Sequence, residues 1–563
     1  MTARPGRTTT TRALTRCGRL AAQTAGVALV RLGTQVANAA ADTSAARNGA
    51  PRRRSGDRPP YRSAAAAAAR PAPAAQPAPA APPAPVSATA PAPPAPVSAT
   101  APAPPVAAPT PFAHPRRRRA DKIDLALRIF AGVYLVTLLV AVVVYKAAFA
   151  QMLFIDPYFA AYGLVVAAFI VTRFGLSLAY RPARDAGLEP QVAIVMPAFN
   201  EEAAIASSIN SLLALDYPED KLEVVVINDG SSDRTLAEIW RVARANPRVQ
   251  VIDFPCNRGK RAAMAAGIRA TSADVIAFVD SDCELEPDAL RIIVQGFADE
   301  KVGAIAGHAN VLNVEESWLT RMQAVRYFVA FKVNKAAESV FNVVTCCSGC
   351  FSVYRRAAIM PRLDWWEHQT FLGAPSTFGD DRSLTNCVLR TWKVKYESRA
   401  VSHTIVPATF RKFMVQQLRW KRSWTRESLI VGSFVWKKNP LGSAAVYVGI
   451  ALPLVAPVTA VRAVVFQPVI QGAGAPFIYL AGIYMMALAY GLYYALRHSR
   501  YDALWIWGVV FCFFYLAFLL WQTYYAMLTT RSSSWGTRAA AKPPPDTGVV
   551  AAPVPGSLPM VRA

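Results

Sequence analysis

Acidic residues are scarce in this chain. Thirty-six Asp and Glu stand against 61 Lys and Arg, which leaves a formal net charge of +25 over 563 residues. Cysteine is thin as well: eight are scattered with no paired framework, so buried, reduced, cytosolic thiols are the default. Cys346, Cys347 and Cys350 cluster, but three thiols with no fourth ligand make a poor zinc site. The basic runs lack interleaved aromatics and no DNA- or RNA-binding motif is present, so the reading is no nucleic acid partner. Residues 63–113 lack sizeable side chains to bury. Ala and Pro dominate there, and PPAPVSATAPA at 82–92 repeats at 93–103. With few backbone donors and nothing to pack, such a segment forms no core and reads as a semi-extended spacer.

What is present is apolar surface. Hydrophobic residues make up 53% of the chain and the mean hydropathy is +0.23. Charge and apolarity coexist because they lie in different places. Residues 1–125 hold eighteen Lys/Arg against four Asp/Glu, so +14 of the +25 sits in the first fifth. Residues 1–120 therefore read as a disordered, basic, Pro/Ala-rich arm, either solvated or resting on anionic lipid head groups. The apolar patch Ala25 to Val30 is broken by Arg31 and is too short for a secretory leader.

Four arginines, Arg116 to Arg119, precede the apolar run Leu125–Ala150, and a second run spans about Tyr158 to Tyr180. Because ~20 helical residues cross a ~30 Å hydrocarbon core, residues 125–180 read as two transmembrane helices. The arginines place the N-terminus in the cytoplasm. Two crossings then return the chain there, so residues 185–405 are expected to form a cytoplasmic domain. Residues 406–435 read as an interfacial amphipathic segment. Three more apolar stretches follow within 440–530, at 443–466, 476–496 and 503–528, before a tail at 531–563. Arg497 and Arg500 favour a cytoplasmic loop, whereas Arg531, Arg538 and Lys542 favour a cytoplasmic C-terminus. One straight helix between them cannot satisfy both, so one stretch is expected to be re-entrant or interfacial, with proline-containing 443–466 the candidate. The expectation is a multi-pass protein of the cell (plasma) membrane, with the lipid bilayer as a partner.

Between the spans, short apolar runs alternate with amphipathic ones, the pattern of βαβ units. Strands are predicted at Val192–Met196, Val224–Ile227, Val249–Ile252 and Val275–Val279, with a helix from about Glu201 and Ser231 or Ser232 capping another. Polar residues collect at the strand ends, where an open α/β sheet binds its ligand. Asp280-Ser281-Asp282 follows the fourth strand, and Asp280 and Asp282 can ligate a hard cation, Mg2+ or Mn2+, on a donor diphosphate. Asp229 ends the second strand and suits either a nucleoside or a helix cap. Lys260 opens a helix, which suits phosphate. Gly379-Asp380-Asp381-Arg382 sets two carboxylates side by side. Mutual repulsion suits one of them to act as a base, although an Asp–Arg structural pair would also explain the block. Gln416–Trp420 adds a cation and an indole on an amphipathic stretch that would serve equally as a membrane anchor. Arg173 and Arg462, inside apolar segments, are candidate channel-lining residues.

The ordered blocks PAFNE (197–201), NDGSSDRT (228–235), NRGKRAAM (257–264), DSD (280–282), SGCFSVYRR (348–356), GDDRSLTN (379–386) and QQLRWKRSWTRES (416–428) resemble the processive family 2 glycosyltransferases. The last two look most like hyaluronan synthases, with chitin-oligosaccharide synthases close behind. The resemblance implies a GT-A domain inserted between transmembrane α-helices. It implies donor contacts from Pro197, Asp229, Lys260, Asp280 and Arg419, a metal on Asp280 and Asp282, and Asp381 as the catalytic base. Trp420, Gln416 and Asp380 would hold the acceptor, and the growing polysaccharide would pass the gating residues Trp535 and Arg538 of a WGTR motif. UDP-GlcNAc and UDP-glucuronate are the implied substrates of an inverting, β-linking polymerisation with export. A GlcNAc-only polymer and an inactive export scaffold stay open as alternatives. One departure stands out: Cys350 replaces the proline of the usual Ser-Gly-Pro, which leaves the shape of the acceptor pocket open.

Overall fold

The computed structural model describes residues 129, 132–141, 144, 156–471, 474–497 and 504–532, all within one structural unit. The basic arm, most of the first span, Trp535 and Arg538 lie outside the described residues.

The α/β region carries an eight-stranded mixed sheet. Its strands are β1 (Val192–Ala198), β2 (Leu222–Asn228), β3 (Val249–Asp253), β4 (Val275–Phe278), β5 (Cys283–Leu285), β6 (Val302–Val311), β7 (Ser352–Arg355) and β10 (Lys393–Thr404). Two short strands, β8 (Thr370–Phe371) and β9 (Ala374–Pro375), form a separate hairpin. The order is β3-β2-β1-β4-β7-β6-β10-β5. The first four strands are mutually parallel, and β7 runs antiparallel to both β4 and β6. The predicted strands thus appear with ends shifted by one or two residues.

All seven residues of β1 are buried, as a strand covered on both faces requires. Ala193 and Val195 join one core layer, while Val192, Ile194 and Met196 point into the other, which is the two-residue alternation of a strand. The first layer continues through Val431, Phe434 and Val435 to Val446 and Ile450. Apolar packing therefore runs unbroken from the sheet to the helix Pro440–Val461. The next helix after β1 starts at Ile205 rather than Glu201. The capping prediction also fails. The helix Thr235–Ala243 has no side-chain cap at Arg234; instead the Asp233 carboxylate accepts from Thr235 N (3.0 Å), while Ser231 and Ser232 bond Asn200.

Among the described residues, three helices are long and apolar enough to cross a membrane: Pro157–Ala179, Pro440–Val469 and Tyr479–Arg497. A fourth crossing arises if Trp505–Leu519 and Gln522–Leu528, bent by 44°, form one broken span. The break therefore falls in the last apolar stretch and not in 443–466. That stretch runs through Pro453 and Pro457 as helix and ends in a π-helical turn at Arg462–Phe466.

Candidate active site

The chemistry-bearing blocks converge at the C-terminal ends of the parallel strands. Asp280 follows β4, and its backbone N–H donates to Gly349 O (3.0 Å). A Cβ on Gly349 would stand 2.7 and 2.8 Å from the two Asp280 carboxylate oxygens, so only glycine lets this loop lie against the acid. Lys260 opens the helix Lys260–Ala270 and forms an ion pair with Asp280. Burial pulls the lysine down, but Asp280, with help from Asp380 and Asp381, outweighs it and holds the ammonium above its usual range. Asp282, two residues on, is pushed up to about 6 by burial and then by the Asp280 charge. Two carboxylates crowded against one ammonium form a donor set that suits a hard divalent cation.

Asp229 is buried, and its carboxylate accepts from the backbone N–H groups of Arg258 (2.7 Å) and Gly259 (3.1 Å). It thereby shapes the turn that delivers Lys260. Pro197 lies within β1, paired with Ile227 of β2.

The two carboxylates of the GDDR block do not stay together. The helix Asp380–Leu389 starts after Gly379, which holds φ +80°. Asp380 turns inward to a buried ion pair with Arg261 (2.6 Å), so this acid meets Arg261 and not the neighbouring Arg382. Asp381 stays half-buried: Oδ1 accepts from Arg382 N (2.7 Å) and Oδ2 accepts from the Cys346 thiol (3.4 Å). Burial and then the Asp381 charge push that thiol up to about 12.

The helix Phe410–Gly432 carries Gln416, Arg419 and Trp420. It docks where Gly379 meets Ser423: a Cβ on Gly379 would fall 2.6 Å from the Ser423 Cβ and overlap its hydroxyl. Trp420 is 37% exposed, with the Arg326 guanidinium 5.4 Å from its ring centroid. The Gln416 Oε1 atom is buried with no hydrogen-bond partner.

A buried polar network fastens these helices to one another. Arg261 donates to Gln369 (2.7 Å), and Gln369 to Glu427 (3.2 Å). Asn386 donates to Glu427 (3.0 Å), and Arg426 pairs with the same carboxylate (2.9 Å). Asn386, Arg426 and Glu427 lie inside quoted motif blocks, and that membership was the one signal of a role; Gln369 had none. Arg173 is buried with its guanidinium over Phe169 (4.7 Å), and Arg462 pairs with Asp156 (2.9 Å), tying two spans together.

Strand-end carboxylates faced by a lysine suit a diphosphate and its cation, and a half-buried carboxylate together with a partly exposed indole on a helix docked at the same loop suits a sugar acceptor. The class this defines is a nucleotide-sugar transferase of GT-A fold seated on membrane helices. Residues 193–362 match the model described as Glycosyl transferase family 2. A hyaluronan synthase of Streptococcus pyogenes is 32% identical over 385 residues, covering 67% of this chain and 90% of the relative. An N-acetylglucosaminyltransferase of Mesorhizobium japonicum is 37% identical over 244 residues, covering 43% of this chain and 57% of that one. A solved mannosyltransferase of Pyrobaculum calidifontis, in complex with GDP-Man and Mn2+, overlays with a TM-score of 0.45 at 21% identity, covering 62% of this chain and 97% of its own. The chain belongs to glycosyltransferase family 2.

Proposed function

We propose that this membrane protein polymerises UDP-GlcNAc and UDP-glucuronate into hyaluronan on the cytoplasmic side of the plasma membrane and passes the product outward. One observation supports this above others. The helices bearing Lys260, Asp381 and Trp420 share the buried Arg261–Asp380–Gln369–Glu427 network, so diphosphate cation, base and sugar platform form one rigid frame, as a bound acceptor needs.

In the proposed reaction Asp381 Oδ2 takes the proton of the acceptor hydroxyl. The freed oxygen bonds to C1 of the α-linked donor sugar as the C1–phosphate bond breaks. UDP leaves and the product is β-linked. Lys260 and Arg419 balance the charge that gathers on the diphosphate, and Trp420 holds the acceptor ring. Asp280 and Asp282 would hold Mg2+ or Mn2+, which supplies Lewis-acid neutralisation of the diphosphate. The Asp381→Asn variant is expected to lose polymer synthesis by at least about a hundredfold while keeping UDP binding, read by membrane assay and nucleotide titration. Synthesis near the parental rate would remove Asp381 from the base role.

A second reading, a GlcNAc-only polymer, is favoured by the similarity to the rhizobial N-acetylglucosaminyltransferase. Sugar requirement separates the two.

A further inference from the structure

The three clustered cysteines part company in the fold. Cys346 turns to Asp381 and Cys347 into the core. Cys350 lies beside Cys283 instead. A carboxylate oxygen of Asp280 completes a group whose three ligand atoms all lie within 4.8 Å of one another. The backbone builds this arrangement. Cys283 N donates to Asp280 O (3.0 Å), and the Gly349 loop is pressed against the Asp280 carboxylate. Cys283 is fully buried and Cys350 partly exposed, so the group has one open side. Asp282 Oδ1 stands 3.4 Å from the Cys283 sulfur, a second carboxylate within reach.

We propose that Asp280, Cys283 and Cys350 form a binding site for a thiophilic divalent ion, Zn2+, that overlaps the donor-metal site. Two thiolates and one carboxylate rank Zn2+ far above Mg2+ or Mn2+. Three protein ligands with one open position make an exchangeable tetrahedral site. Binding displaces the two thiol protons to water. Lys260 engages Oδ1 of Asp280 and leaves Oδ2 available. A bound Zn2+ takes Asp280 away from the donor's cation, so the site acts as an inhibitory metal sensor. That consequence, unlike the binding itself, rests on the role proposed above for Asp280.

The test uses the full chain in detergent and two readouts. Co2+, a spectroscopic stand-in for Zn2+, is expected to give a thiolate-to-metal charge-transfer band that Zn2+ bleaches. The band is lost in Cys283→Ser and in Cys350→Ser, each checked for an unchanged melting temperature. Zn2+ added at micromolar level over millimolar Mg2+ is expected to abolish most polymer synthesis, reversibly with chelator. Cys283→Ser should need more than about tenfold more Zn2+, since losing even an outer-shell partner costs that much. No band in the parent, or a band kept by both variants, overturns the site. A band with undiminished synthesis overturns the overlap with the donor site, whereas a chain inactive without Zn2+ contradicts the proposed function and not the site.

Discussion

Asp380 and Asp381 are neighbours in sequence and opposites in environment. Asp380 and Arg261 are each about 5% exposed and paired at 2.6 Å. Removing one partner of a buried pair strands the other charge, at about 3–5 kcal/mol. The Asp380→Asn variant should therefore melt well below the parent in a thermal unfolding assay, whereas Asp381→Asn should melt close to it and fail in synthesis. Similar melting of the two would deny the division of labour. Gly379 is equally constrained, because its φ of +80° and its contact with Ser423 both exclude a side chain. Gly379→Ala should cost at least about 1–3 kcal/mol in strain and cut synthesis as the Trp420 helix is pushed off. Adding Ser423→Gly should restore part of the activity but not the strain; no rescue at all would argue that the contact is unimportant. At this scale the sequence displayed Asp381, Lys260 and the strand-end acids, because their chemistry is local. It did not display Asp380 as a structural acid, since its partner Arg261 is 119 positions away.

Among the elements, the helix Phe410–Gly432 carries the most consequence. One side docks on Gly379. The other is riveted to the bent last span by Lys421, which donates to Thr523 Oγ1 (2.8 Å), and by Arg422, which donates to Thr529 Oγ1 (3.0 Å). Burial, and then the Arg326 charge, lower the Lys421 ammonium from 10.5 to about 8. The unfolded chain takes up this proton near 10.5, whereas the folded one does so only near 8. Stability should therefore rise as pH climbs between those values, with the penalty fully present below 8. Melting curves of Lys421→Gln should lack that component of the rise; curves parallel to the parent's would contradict it. An amphipathic pattern made this helix legible but suggested a bilayer surface rather than two protein seams. The site of the break was not legible either. Prolines mark helix weakness locally, yet Pro453 and Pro457 lie within continuous helix while the 44° bend falls between Leu519 and Gln522, directly after the π-helical turn Tyr515–Leu519.

For the molecule as a whole, the sheet's core merges with the packing of the Pro440 helix, so the transferase domain and that helix share one apolar core rather than a tether. The long apolar helices among the described residues were legible because length and hydropathy are properties of the local chain. The mixed half of the sheet was not, because β5, β6, β7 and β10 pair across long separations and in both directions. The proposed function requires that this frame alternate two sugars into one polymer. Membranes holding the full chain, supplied with radiolabelled UDP-GlcNAc and UDP-glucuronate singly and together with Mg2+ or Mn2+, test it most directly. Long labelled polymer is expected only when both sugars are present. Polymer from UDP-GlcNAc alone would contradict it.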